Sequence, residues 1–133
     1  MHKKLEEILL PDDRRYTDEH IWLKKDGNSY LSGISDFAQD QLGEVVYIDL
    51  PSVGDEFDAG VPYGEVESIK SVNKLFTPVK GKIIDVNAAV GDAPATLNES
   101  PYEKGWIVRF EVANEADIEG LLTADAYRAF LNK

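Results

Sequence analysis

Gly64-Glu-Val-Glu-Ser-Ile-Lys70-Ser-Val-Asn-Lys-Leu-Phe-Thr-Pro78-Val-Lys-Gly81 is the stretch whose reading decides the fold. Val66 and Ile69 favour strand on the approach to Lys70, and Leu75, Phe76, Thr77 and Val79 favour it on the return. Pro78 cannot donate to a ladder, so it belongs at a strand end or an exposed edge, and Gly81 closes the run. Two short β-runs around the polar segment Ser71-Val72-Asn73 are a hairpin signal, and they put Lys70 at its tip. By turn position alone Lys70 is an ordinary solvated lysine. Held out on a hairpin, it is also a side chain that a second enzyme could modify, so that the chemistry would arrive as a covalent group.

Outward from the hairpin, local signals divide the chain into short elements. Leu5, Ile8 and Leu9 fall at helical spacing over residues 3–10, and Pro11 stops them, which predicts an N-terminal helix or arm over residues 1–15. Ile21–Leu23 and Ser29–Ile34 bracket an Asp26-Gly27 turn signal. Ser35 caps a short helix over residues 35–42, with Gly43 as its stop. Val45–Leu50 reads as a strand. Thr123 caps a last helix with Ala126, Tyr127, Phe130 and Leu131 on its apolar face. Ile48-Asp-Leu50 with Val53-Gly-Asp55 resembles Ile84-Asp-Val86 with Val90-Gly-Asp92. This weak repeat predicts a sandwich of two similar halves with the Lys70 hairpin between them, and Gly54 and Gly91 as turn residues of positive φ.

Composition narrows the function classes. A chain of 133 residues, 43% of them hydrophobic, is one domain over residues 16–133 beyond the arm. It has no cysteine and two histidines, which removes a disulfide framework and a thiolate metal site and leaves little for a histidine one. Twenty-five acidic against fourteen basic residues give a net charge of −11, the wrong sign for nucleic acid. No apolar run approaches the ~18 residues of a membrane span, and the N-terminus lacks a signal-peptide core. The chain is therefore expected in the cytoplasm, with no membrane partner.

Several motifs together resemble one family. Glu67-Ser-Ile-Lys70-Ser-Val and Leu75-Phe-Thr-Pro-Val-Lys-Gly81 are similar to the lipoyl-attachment segment of the glycine cleavage system H proteins. The likeness continues through Tyr16-Thr-Asp-Glu-His20-Ile-Trp22, Gly33-Ile-Ser-Asp-Phe-Ala-Gln-Asp-Gln-Leu-Gly43, Val45-Val-Tyr-Ile-Asp-Leu-Pro51, Asp85-Val-Asn87, Asn98-Glu-Ser-Pro-Tyr102 and Gly105-Trp106. It runs from about Tyr16 to Leu131.

The resemblance implies a mainly β fold, a lipoyl-domain-like barrel-sandwich hybrid with short flanking helices at the N-terminus, at residues 35–42 and at the C-terminus. It implies a non-catalytic carrier with lipoic acid in amide linkage to Lys70. A lysine amine attacks only when neutral, and its reference pKa is about 10.4, so a lipoate ligase or a lipoyl/octanoyl transferase would form that amide. The implied partners in turnover are glycine decarboxylase (P protein), aminomethyltransferase (T protein) and dihydrolipoyl dehydrogenase (L protein), which pass or reoxidise an aminomethyl-bearing arm. Glu67 and Glu65 would mark the hairpin for the modifying enzyme, while His20, Glu19, Ile21, Lys74 and Asn98 would lie near the arm. Trp22, Tyr102 and Trp106 read as core and cleft wall.

Two positions depart from the family pattern. Members commonly carry Glu directly after the histidine and an acid four residues after the lipoyl lysine, where this chain has Ile21 and Lys74. An aminomethyl group is cationic and wants acceptors nearby. The alternative is an H-like lipoate-binding protein carrying sulfur intermediates in heterodisulfide-reductase-like sulfur oxidation. Biotin is disfavoured, because biotin sites flank the lysine with methionine and here Ile69 and Ser71 stand beside it.

Overall fold

The computed structural model describes residues 3–132. Nine strands make two antiparallel sheets. The larger is built from β1 (Arg15–Tyr16), β2 (Ile21–Asp26), β3 (Ser29–Ile34), β9 (Val108–Val112), β8 (Gly81–Val86) and β5 (Glu56–Phe57), hydrogen-bonded in that order. The smaller runs β4 (Val45–Asp49), β6 (Pro62–Ser68), β7 (Val72–Phe76). Five short helices punctuate them: α1 (Asp36–Leu42), α2 (Ala88–Asp92), α3 (Thr96–Glu99), α4 (Ala116–Glu119) and α5 (Ala124–Leu131).

Both sheets turn one face inward, because apolar side chains alternate with polar ones along their strands. Ile21, Leu23, Ile83, Val108 and Phe110 of the larger sheet meet Val45, Ile48, Val66 and Leu75 of the smaller in one core cluster. A second cluster lies outside it, where Tyr16, Trp22, Ala124 and Tyr127 are buried under α5. Tyr16 and Tyr127 stack with ring centroids 4.8 Å apart. Trp22 donates its indole N–H to the Pro101 carbonyl at 3.0 Å, and Tyr102 and Trp106 pack beside it. The expected sandwich is thus present, and Trp22, Tyr102 and Trp106 take core positions in this second cluster rather than positions in a cleft wall.

Local chemistry accounts for most element ends. Ser35 Oγ accepts the Ala38 amide at 3.1 Å and Thr123 Oγ1 the Ala126 amide at 3.1 Å, so both helices begin on side-chain caps. Gly43 ends α1 at φ 75°, a conformation that costs glycine nothing. The β2–β3 hairpin turns through Gly27-Asn28, with Asp26 already paired to Ser29.

Four expectations are corrected, and one alternative is decided. Of the helix or arm expected over residues 3–10, the segment takes the arm: only Leu5–Glu7 make a 3-10 turn, and the flanking Lys4 and Ile8 are extended. Three apolar residues cannot sustain a helix this short, and side-chain contacts described below draw the segment out along the domain. Ile69 is not in the approach strand but in the turn, 70% exposed, because the ladder ends at Glu67 opposite Val72. Thr77 and Val79 likewise lie past the end of β7, although both are buried. The repeat does not build two equal halves: the hairpin belongs to the smaller sheet, and of the two glycines only Gly54 has positive φ, at 100°. Gly91 sits inside α2, where a Cβ would stand 3.3 Å from Leu50, so close approach explains it. On α5 it is Ala124, not Ala126, that joins Tyr127 in the buried face.

Candidate functional site

The hairpin tip is three residues, Ile69-Lys70-Ser71, between β6 and β7. Ser68 organises it. Its amide donates to the Ser71 carbonyl at 2.8 Å, and its buried Oγ lies 3.1 Å from the Ser71 amide and 3.3 Å from that of Lys70, accepting both. Asn73 Nδ2 adds a donor to Ser71 Oγ at 3.0 Å. A serine that turns its hydroxyl onto the following amides is a standard way to hold a tight turn. The turn offered too little glycine or asparagine for its shape to be read from sequence. The signal that could have shown it is the Ser68-x-x-Ser71 spacing.

The tip is also fastened from below. Ile69 donates its amide to the Glu44 carbonyl at 3.0 Å. Asn98, on α3, flanks Glu44 on both sides: its Oδ1 accepts the Val45 amide at 2.9 Å and its Nδ2 donates to the Gly43 carbonyl at 2.7 Å. The same Nδ2 lies 3.2 Å from Gln39 Oε1. Asn98 is therefore a brace under the tip. The Lys70 side chain runs out over Gly43, with its Cε 3.5 Å from where a Cβ on that glycine would stand. A cavity of about 430 Å³ lies along this side, lined among others by Lys70, Gln39, Gly43, Glu44 and Asn98.

On the other side of α1 lies a cavity of about 320 Å³, and here four of the residues singled out in the sequence meet. Ile21, Ile34, Leu42, Val66 and Leu75 give it an apolar floor, and Glu19, His20, Gln41, Ser71, Asn73 and Lys74 supply its polar lining. Ile21 is fully buried and paired in register with Ile34, so it takes the place of an acid with hydrocarbon. Glu19 and Lys74 are exposed and supply the cavity's one carboxylate and one ammonium. Glu19 also lines a neighbouring cavity of about 450 Å³ beside Asp18, Phe76 and Phe130.

His20 holds the junction between this cavity and α5. It is the one non-glycine residue of positive φ among those described, at 68°. Its Nδ1 lies 2.7 Å from the Tyr127 hydroxyl, which lies 2.8 Å from Ser35 Oγ at the cap of α1. Burial depresses the imidazole pKa below its ordinary value, against a smaller opposing pull from Asp18. Among the described residues its hydrogen bond goes to Tyr127, and through that hydroxyl it joins the start of β2 to α1 and α5.

Glu65 and Glu67 project from the exposed face of the smaller sheet, Glu65 opposite Lys74 and Glu67 between Tyr47 and Val72. Tyr47 and Val72 are each 57% exposed, so the sheet surface leading to Lys70 mixes carboxylates with bare apolar groups. Among the described residues no group of three or more His, Cys, Asp or Glu side chains could hold a metal ion.

A small sandwich that holds one lysine on a braced, exposed hairpin beside an apolar cleft defines a swinging-arm carrier domain. The model of the family described as glycine cleavage H-protein matches residues 14–133, and the chain belongs to that family. The glycine cleavage system H protein of Anaeromyxobacter sp. (strain K) is 49% identical over 124 residues, covering 93% of this chain and 97% of that protein. That of Carboxydothermus hydrogenoformans is 46% identical over 125 residues, covering 94% and 96%. The crystal structure of a glycine cleavage system H protein from Mycobacterium marinum superposes with a TM-score of 0.85 at 36% identity, covering 92% of this chain and 99% of that one. The family is one of lipoyl-carrier proteins of the glycine cleavage system, not of catalysts.

Proposed function

We propose that this chain carries lipoic acid as an amide on Lys70. On that arm it shuttles an aminomethyl group from glycine decarboxylase to aminomethyltransferase and is reoxidised by dihydrolipoyl dehydrogenase. The observation that carries the reading is the tip itself: Lys70 is exposed, its backbone is fixed by Ser68 and Glu44, and the cleft begins at the next residue, Ser71. The residues present fit the group. Ile34, Leu42, Val66 and Leu75 would take its alkyl chain, and the absence of cysteine leaves the bound group as the sole source of thiol chemistry. When bound, that group supplies a reversible disulfide on a long tether. Ser68, Asn98 and Glu44 hold the attachment point, and the apolar floor of the cleft excludes water from whatever rests there. A cysteine-free chain suits work in the reducing cytoplasm.

The enzyme that forms the amide, a lipoate ligase or a lipoyl/octanoyl transferase, must bring its own active site to Nζ of an unextended lysine. It therefore has to cover the hairpin, whereas the later partners can reach along the full arm. Glu65, Glu67, Tyr47 and Val72 are the surface it would meet, an acidic and apolar patch complementary to a basic partner with an apolar pocket. Intact mass after treatment with lipoate ligase tests the attachment: one lipoyl increment on the parent and none on Lys70→Arg is expected. An increment on the arginine variant rejects Lys70.

A second reading has its own observation. Lys74 puts an ammonium into the cleft, which suits an anionic or neutral sulfur cargo better than an aminomethyl cation. Incubating the lipoylated, reduced protein with glycine and glycine decarboxylase separates the two. An aminomethyl increment supports glycine cleavage, and none, beside an H protein that loads normally, supports sulfur transfer.

A further inference from the structure

The N-terminal arm lies ahead of the family-matched residues 14–133, yet it is bonded to the domain along its length. Lys3 Nζ donates to both oxygens of Asp36, at 3.0 and 2.9 Å, and the Lys3 amide donates to Asp40 Oδ2 at 3.0 Å. Leu9 donates its amide to Asp36 Oδ2 at 2.8 Å. The Tyr102 hydroxyl donates to the Leu9 carbonyl at 2.5 Å and accepts the Asp36 amide at 2.9 Å. Arg128, on α5, donates to the carbonyls of Leu5 and Ile8, and the Ile8 side chain is buried. Three of these groups, Lys3 Nζ, the Leu9 amide and the Tyr102 hydroxyl, meet at Asp36, the first residue of α1, whose carboxylate is 2% exposed.

A continuous polar path leads from that carboxylate to the hairpin tip. Asp36 Oδ1 accepts from Gln39 Nε2 at 2.8 Å as well as from Lys3. The other end of the Gln39 amide accepts from Asn98, which grips the Gly43 carbonyl and the Val45 amide. Between those two residues stands Glu44, whose carbonyl holds Ile69 beside Lys70.

We propose that the arm is a positioning clip. Lys3 fixes Asp36, Asp36 fixes the rotamer of Gln39, and Gln39 with Asn98 fixes the loop on which the Lys70 hairpin rests. Asp36 and Gln39 are buried and Asn98 is half-buried, while Lys3 and Glu44 at the two ends are exposed; every link is a specific hydrogen bond, so the path is a set of discrete contacts and not a general stiffness. Lys3 and Asp36 are positioning residues at the far end of this relay, with no contact of their own to Lys70. The inference does not depend on what Lys70 carries.

Amide hydrogen exchange followed by NMR on the full chain tests it. Lys3→Gln removes the charge at a partly exposed site without opening the core. It should raise exchange at Ile69 and Val45 by about tenfold, within the range of measured coupling through such networks. Tyr30 and Phe110, in the core strands, should stay far closer to the parent, and Lys3→Arg should restore slow exchange. Gln39→Met cuts the relay in the middle, so adding Lys3→Gln to it should produce no further change at Ile69. The clip is overturned if Ile69 and Val45 exchange as in the parent while only Leu9 and the first turn of α1 accelerate. It is equally overturned if every amide accelerates alike, or if the two substitutions act additively at Ile69.

Discussion

Ile69 donates its amide to the carbonyl of Glu44 at 3.0 Å, so the tip of the β6–β7 hairpin is bonded to the loop that leaves α1 while the neighbouring Lys70 side chain remains in solvent. A carrier needs both properties at once. The attachment point must be rigid enough for an enzyme to recognise, and the group attached there must be free to leave the surface.

Asn98 maintains the first property. Truncation in Asn98→Ala leaves the Val45 amide and the Gly43 carbonyl without their partner, both half-buried under the tip. Losing paired groups of this kind costs about 2–3 kcal/mol. Urea unfolding should show the loss as a lower midpoint at unchanged slope. Attachment of the lipoyl group should slow as well, because the Glu44 loop is no longer held. An unchanged midpoint would show that water replaces the side chain and that Asn98 is no brace.

Tyr63 makes the opposite case. It is fully buried against Phe110, edge to face at 5.8 Å, and its hydroxyl has no hydrogen-bond partner among the described residues. Removing a buried hydroxyl that bonds to nothing removes only its desolvation cost. Tyr63→Phe should therefore leave stability equal or raise it by about 1 kcal/mol, measured by the same urea titration. A loss of stability would mean that the hydroxyl has a water partner.

His20 gives the fold a pH dependence of definite sign. Burial holds its folded pKa below the unfolded value of about 6.5. In the window between the two values the unfolded chain binds more protons than the folded one, so stability rises with pH there. The contribution is intact above about 6.5 and is lost as the pH falls below it. Asparagine tolerates the φ of 68° at this position and does not titrate. The thermal midpoint of the parent should thus drop further than that of His20→Asn between pH 7.5 and 5.5. Parallel curves would show that the imidazole carries no penalty.

Much of this arrangement was legible because it depends on local chemistry. Ser35 and Thr123 cap their helices as written, Gly43 stops α1, and the β-runs around Lys70 pair as a hairpin. What escaped the sequence depends on partners distant along the chain. Leu5, Ile8 and Leu9 have helical spacing, but the segment is drawn out by Asp36, Tyr102 and Arg128, up to 123 residues away. Ile69 has strand propensity, yet the side chain of Ser68 ends the ladder before it. The tie between Gln39 and Asn98 had no signal either, since two amides 59 positions apart announce nothing until the fold joins them.

The cleft's two charges carry the last prediction. Glu19 and Lys74 line the same cavity, and no ion pair within 4 Å engages Lys74 among the described residues. A protonated amine on the arm meets repulsion at β7 and attraction at the loop before β2. Both residues are exposed, so the interactions are screened and modest, of the order of 1 kcal/mol each. Lys74→Glu reverses the first without touching the fold, because the position lies on an exposed strand surface. If the arm carries an aminomethyl cation, the variant should retain it longer after removal of the decarboxylase, by about fivefold as read from intact mass over time. The gain should shrink as salt rises, since only screening by ions would oppose an attraction of this kind. Glu19→Gln should shorten retention by a comparable factor. If both variants retain the group as the parent does, the cargo does not rest in this cleft, and the apolar floor built by Ile21, Ile34 and Leu75 serves the empty arm alone.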